Sequence, residues 1–181
     1  MSELYDLFLK HPRISTDTRK IEPDSIFFAL RGANFDGNRF VAEALEKGAA
    51  YAVSDDAGTA AADERILYAE DTLKALQELA REHRRALGIP ILAISGSNGK
   101  TTTKELVSRV LAERFAVYAT RGNLNNHIGV PLTLLAMTRD TEFGVVEMGA
   151  SACGELALLA SIAEPNYGTQ VGGQGGLRKT R

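Results

Sequence analysis

Residues 91–103, ILAISGSNGKTTT, constrain the fold of this chain more than any other stretch. Ile91, Leu92, Ala93 and Ile94 form the continuous apolar run of a strand buried on both faces of a parallel sheet. A glycine loop follows, and then a predicted helix from about Lys100 to Arg114. In that setting Gly-Lys-Thr reads as a phosphate-binding loop. Backbone N–H groups converge at the helix N-terminus, where they and the helix dipole attract an anion. Glycines permit the turn and the close backbone approach. The lysine reaches the β and γ phosphates, and the next hydroxyl reaches Mg²⁺. Gly96, Ser97, Asn98, Gly99, Lys100, Thr101 and Thr102 supply these parts. The usual G-x-x-x-x-G-K-[ST] spacing puts its first glycine at position 94, which is Ile94 here. A shorter or differently turned loop is therefore expected, with Ile94 still in the strand. The plainer alternative is a strand-to-helix turn with a chance Gly-Lys-Thr.

Strand-like and helix-like patterns alternate around this stretch, which predicts α/β with parallel sheets. Before it, strands are predicted at 25–30, 50–53 and 66–69, and helices at 38–47 and from about Asp71 to Leu87. The last of these places Leu73, Leu76, Ala80, His83 and Leu87 on one apolar face. Arg81, Arg84 and Arg85 gather near its C-terminal end, where cations suit the dipole. Gly88 and Pro90 stop it, so a domain boundary is expected at 86–90. After the glycine loop come strands at 116–119 and 143–148, a helix opening at Pro131 and a short helix at 155–162. The last 13 residues, TQVGGQGGLRKTR, lose the pattern and read as a flexible tail or a frayed terminus.

Composition narrows the function classes. A net charge of −2 gives no general affinity for nucleic acid or a membrane surface. No apolar run reaches the roughly 20 residues of a membrane span, and the N-terminus is not a signal peptide. One cysteine, Cys153, permits no intrachain disulfide and fits a reducing cytoplasm.

Three further groups carry chemistry. Glu147 ends an apolar strand, at the edge where open α/β sheets bind ligands, and its hard oxygens suit magnesium; otherwise it is a solvated strand-end acid. Asn123, Asn125, Asn126 and His127 crowd a polar loop that can orient a substrate, or that simply turns. Thr16, Asp17, Thr18 and Arg19 form an exposed loop in which Asp17 and Arg19 read as a ligand site or as a surface ion pair.

GSNGKTT at 96–102 resembles the ATP loop of the Mur ligases, G-[ST]-x-G-K-[ST]-[ST], in which the missing first glycine is normal. GNLNNHIGVPLTLL at 122–135 and VVEMGAS at 145–151 resemble the branch that adds D-alanyl-D-alanine to UDP-N-acetylmuramoyl-tripeptide. The sister ligase that adds the third amino acid tends to carry Thr-Thr-Pro there. ISTDTRKIEPDSIFFALRGANFDGNRF at 14–40 is similar to the uridine-nucleotide domain both share. The resemblance covers about residues 4 to 168 and implies a small N-terminal α/β UDP-sugar domain over 1–87. An incomplete P-loop-type parallel-sheet ATP domain follows over 88–168, and 169–181 is a tail foreign to the family.

It also implies a peptidoglycan-precursor ligase that uses ATP and Mg²⁺, works as a cytoplasmic monomer and proceeds through an acyl phosphate. Lys100 and Glu147 are then the catalytic candidates, with Thr101 and Glu147 serving the metal and residues 96–102 the phosphates. Thr16, Asp17, Thr18, Arg19, Asn38, Asn123, Asn125, Asn126 and His127 are substrate candidates, although Asn38 stands where the family often has His and His127 where it often has an acid. Family stretches expected beyond 168, with a metal-site histidine and lysine, have no counterpart here. A frame shift or premature end is therefore expected, and a chain inactive by itself. The sister ligase, a folylpolyglutamate-type ligase and a non-catalytic nucleotide or UDP-sugar binder remain as alternatives.

Overall fold

The computed structural model describes residues 2–150, 152, 154–172 and 178–179. Ser151, Cys153 and the tail residues Gly173, Gly175, Gly176 and Arg181 lie outside the described residues. The chain divides into two compact units, 1–79 and 80–181, and the division falls inside the helix that ends at Leu87.

The first unit comprises α1 (Glu3–Lys10), β1 (Arg13–Ser15), β2 (Ser25–Phe28), the β3–β4 hairpin (Arg31–Gly32 and Phe35–Asp36), α2 (Val41–Glu46), β5 (Tyr51–Ser54), α3 (Ala57–Ala60), β6 (Ile66–Tyr68) and the start of α4 (Thr72–Leu87). Its sheet runs β1-β2-β5-β6, all parallel. All four residues of β2 are buried, as an apolar run between covered faces requires. Phe27 packs with Val41, Ala44 and Leu45 of α2 and with Ala52 and Ile66. The helix expected over 38–47 is two elements. The Asp36 side chain accepts from the Asn38 N–H and opens a 3₁₀ turn over Gly37–Phe40, and α2 begins only at Val41. Asp71 caps α4 through the Lys74 N–H at 2.9 Å, as its position predicts.

The second unit contains the end of α4, β7 (Ile91–Gly96), α5 (Lys100–Ala112), β8 (Val117–Ala119), α6 (Gly129–Leu135), β9 (Phe143–Glu147), α7 (Glu155–Ala163), β10 (Tyr167–Val171) and β11 (Arg178–Lys179). The sheet order is β11-β10-β7-β9-β8, parallel except for β11. Val107 and Leu111 of α5 pack on Leu92, Ile94 and Val145. Strand alternation turns Ile91 and Ala93 to the opposite face, and α7 lies against β7 there.

Three expectations are corrected. Ile94 is in the strand as expected, but β7 continues to Gly96. The helix expected to open at Pro131 starts at Gly129, because Asn126 Oδ1 accepts from the N–H groups of Ile128 (3.1 Å) and Gly129 (2.8 Å) and organises the turn earlier. Pro131 still lies in the first turn, where a missing N–H costs nothing. Thr169–Val171, assigned to the flexible tail, end β10, with Thr169 opposite Ile94 and Val171 opposite Gly96. Backbone pairing to a buried neighbour outweighs their weak apolar signal.

Arg84, whose position suits the dipole of α4, does more than that. It is buried, and it donates to the carbonyls of Ala163 (3.0 Å) and Glu164 (3.1 Å) and to Asn166 Oδ1 (2.9 Å). It thus satisfies carbonyls at the end of α7 that the helix itself leaves unpaired. Among the described residues, no helix is long and apolar enough to cross a membrane.

Candidate functional site

The site of the second unit is built on the C-terminal ends of β7, β9 and β8. Gly96 has φ +135° and Gly99 φ +79°, and the loop between them delivers the chain to α5. A Cβ on Gly96 would lie 1.9 Å from the Val171 carbonyl oxygen, so β10 leaves room there for glycine alone. α5 then starts at Lys100, with its first-turn N–H groups toward the loop. Lys100 Nζ donates to the Gly96 carbonyl at 2.7 Å, which folds the ammonium over the loop's mouth.

Glu147 lies at the end of β9 and is 2% exposed. Its Oε2 accepts from Thr101 Oγ1 at 3.1 Å and its Oε1 from Asn125 Nδ2 at 2.9 Å. Both donors are neutral. Burying a carboxylate is costly unless a cation or several hydrogen bonds offset it. Glu147 beside Thr101 therefore forms a pair of hard oxygens, one from a carboxylate and one from a hydroxyl, at the head of the glycine loop. That donor set fits Mg²⁺, which takes one or two carboxylate or hydroxyl oxygens and completes its shell with phosphate and water.

Residues 97–102 with Asn125 and Glu147 line a cradle of about 360 Å³. Beside it lies a cleft of about 740 Å³, lined by Gly96, Ser97, Lys100, Asn125, Asn126, His127 and, from the far side, Gly149, Glu155 and Leu158. Of the polar loop, Asn125 reaches the carboxylate, Asn126 spends its Oδ1 on the turn before α6, and His127 lines the cleft. Asn123 is exposed and bonds through its carbonyl to the Asn125 N–H at 2.8 Å, away from the cleft lining.

In the first unit Thr16, Asp17, Thr18 and Arg19 line a separate cleft of about 680 Å³ with Phe27, Phe35, Phe40 and Glu43. Phe35 and Phe40 stack with centroids 5.5 Å apart and planes 8° apart. Arg19 grips Asp17 in two-point fashion, Nε to Oδ1 at 2.9 Å and Nη2 to Oδ2 at 2.7 Å. That ion pair and the Arg19 backbone N–H hold the Asp17 carboxyl down at about 2. Asn38 is not among the residues of this cleft. Its Nδ2 donates to Asp36 (2.9 Å) and Asp55 (2.6 Å), and its Oδ1 accepts from Ser54 (2.7 Å), so its amide is committed to the fold.

Two buried residues at the first site went unmarked in the sequence. Thr120 accepts the Glu147 N–H on its Oγ1 at 2.9 Å, and Lys104 donates to the Thr120 carbonyl at 2.7 Å. Lys104 shares spacing with Val107 and Leu111, an apolar stripe that signals burial and in which a lysine is out of place. Phe40 reads in the sequence only as part of an apolar helical face and Phe35 carries no signal, because only the 3₁₀ turn between them brings their rings together.

Known proteins resemble this chain along most of its length. Residues 12–84 match the model described as Mur ligase family, catalytic domain, and residues 94–170 match the Mur ligase middle domain. The UDP-N-acetylmuramoyl-tripeptide–D-alanyl-D-alanine ligase of Bacillus subtilis is 45% identical over 84% of this chain and 34% of its own length. The Escherichia coli protein of the same name is 39% identical over 84% of this chain and 33% of its own. The crystal structure of MurF ligase from Thermotoga maritima in complex with ADP aligns with a TM-score of 0.78 at 32% identity, covering 92% of this chain and 37% of that one. The chain thus spans about a third of the length of the relatives it matches.

Proposed function

That the chain belongs to the Mur ligase family is the premise from which we propose its function: the N-terminal and central parts of an ATP-dependent ligase that joins D-alanyl-D-alanine to UDP-N-acetylmuramoyl-tripeptide. The observation that carries this is the buried Glu147 carboxylate, held by neutral donors opposite Thr101 at the head of the glycine loop. The D-alanyl-D-alanine name of the B. subtilis and E. coli relatives favours this branch over the sister that adds the third amino acid. We place the protein in the cytoplasm as a monomer, with residues 1–87 as the UDP-sugar domain and the chain from 88 as the start of the ATP domain.

When bound, ATP with Mg²⁺ supplies the phosphoryl group that turns the unreactive tripeptide carboxylate into an acyl phosphate open to the dipeptide amine. The protein's share is positioning and charge neutralisation. Lys100 exchanges the Gly96 carbonyl for phosphate oxygens and brings a positive charge to where negative charge develops. The N–H groups of residues 97–102 orient the phosphate chain at the head of α5. Thr101 and Glu147 would hold Mg²⁺, while Asn125 fixes the carboxylate's second oxygen. His127 and Asn126 face the adjoining cleft, where the tripeptide end belongs on this reading. In the first unit the Phe35–Phe40 stack offers a flat apolar wall for a uracil ring, and Thr16, Thr18 and Arg19 offer donors for its phosphates.

Titration calorimetry tests the proposal directly. The chain is expected to bind ADP with Mg²⁺, and separately UDP-N-acetylmuramoyl-tripeptide more tightly than the dipeptide nucleotide. Failure to bind either would refute it.

A further inference from the structure

Lys104 is 2% exposed, one helical turn beyond Lys100 and on the face of α5 that also carries Val107 and Leu111 toward the sheet. An ammonium is an expensive group to bury, and a methionine would fill that stripe without the desolvation cost. The lysine has two partners. It donates to the Thr120 carbonyl at 2.7 Å, and it lies 3.2 Å from Oε1 of Glu105, a carboxylate largely in solvent. Thr120, just past β8, is itself tied to β9 twice. Its N–H donates to the Val145 carbonyl at 2.9 Å, and its Oγ1 accepts the Glu147 N–H at 2.9 Å. Glu147 then reaches back to α5 by accepting from Thr101 Oγ1 at 3.1 Å.

These contacts close a ring. It runs from Lys104 to Thr120, from Thr120 to Glu147, from Glu147 to Thr101, and along one turn of α5 back to Lys104. The ring pins the ends of β8 and β9 to the first turns of the helix that carries the phosphate loop. The Lys104 bond is what ties Thr120 to α5, and the Glu147 backbone depends on Thr120 for its acceptor.

We infer that Lys104 is a positioning residue for Glu147, acting through Thr120 to set where the carboxylate meets a metal ion. The inference rests on the nucleotide and metal reading of the site. Groups that orient a ligating carboxylate typically cost about 10–100-fold in metal affinity when removed. The effect should therefore be selective for metal-dependent binding, since Gly96 to Lys100, which include both loop glycines and the loop lysine, lie outside the ring.

The experiment measures ADP affinity of the full chain by calorimetry, with Mg²⁺ and with EDTA, for the wild type, Lys104→Met, Thr120→Val and the double variant. Each single change is expected to weaken Mg²⁺-dependent ADP binding about tenfold and metal-free binding by less than about twofold. The double variant is expected to be no worse than the weaker single one, because both cut the same chain of contacts. Equal losses with and without Mg²⁺, or losses that add in the double variant, would overturn the inference and leave the nucleotide site standing. A wild-type chain that binds ADP under neither condition would remove the nucleotide reading and the inference together. If Lys104→Met fails to fold, Thr120→Val, which keeps shape and the carbonyl that Lys104 bonds, still tests the route to Glu147: Mg²⁺-dependent binding left unchanged there would overturn the inference.

Discussion

A methyl group at position 96 has no space to occupy. Gly96→Ala places a Cβ against the Val171 carbonyl and forces a side chain to φ +135°. Both costs are of a kind that reach on the order of 3 kcal/mol together. Chemical denaturation should show a loss of that size, with ADP binding abolished. Glu147→Gln should behave in the opposite way. The amide keeps an oxygen for Thr101 but carries no charge, so the fold is expected to survive while calorimetry shows ADP affinity no longer responding to Mg²⁺. Much of this was legible in the sequence. The glycine loop announced itself because a strand, two glycines and Lys-Thr must lie together for the chemistry to work. Lys104 and Thr120 were harder to see, since a lysine and a threonine have ordinary solvated roles and only the strand order brings them behind Glu147. Asn38 is a polar residue in a promising motif whose amide is taken up by Asp36, Asp55 and Ser54, contacts that only the fold brings together.

At the scale of elements, two helix ends depend on single side chains that lie outside the helix. Arg84 holds the final carbonyls of α7 and reaches Asn166, whose Oδ1 also accepts the Ile91 N–H at the start of β7. Arg84→Met takes this donor from the buried Ala163 carbonyl and the half-buried Glu164 carbonyl, and denaturant unfolding is expected to show a loss of about 2–3 kcal/mol. The Asn126 side chain starts α6, and Asn126→Ala should cost about 1 kcal/mol in the same measurement. Periodicity predicted α4 well because it carries a long apolar stripe, and the glycine loop marked the start of α5. It failed at α2 and β10 for a physical reason. A 3₁₀ turn and a helix share similar spacing over four residues, and β10 is half-covered, so its Gly168, Thr169 and Gln170 lack the apolar run by which β7 and β9 declare themselves.

For the whole molecule, pH acts on the second unit through His83. Its Nε2 donates to the Met137 carbonyl at 2.9 Å, and burial pushes its pKa below the ordinary 6.5. The unfolded chain therefore takes up a proton that the folded chain resists, so stability must rise with pH across that window. It is full above 6.5 and declines as pH falls below it toward the lowered folded value. Urea midpoints measured from pH 7.5 to 5 should decline in the wild type, and His83→Gln should flatten the part of the decline nearest 6.5.

The register that sets Val171 beside Gly96 has one more consequence, in time rather than in space. Ser97 and Gly172 are 75 residues apart and in contact, and the glycine loop is backed by the end of that late strand. A ribosome adds about 5–20 residues each second, so several seconds pass between the synthesis of the loop and the arrival of the backbone behind it. During that interval β7 has an open edge and the loop has no wall. The nascent chain thus carries its most chemically specific segment unfinished until nearly the last described strand has emerged, and that order of events comes from strand topology alone.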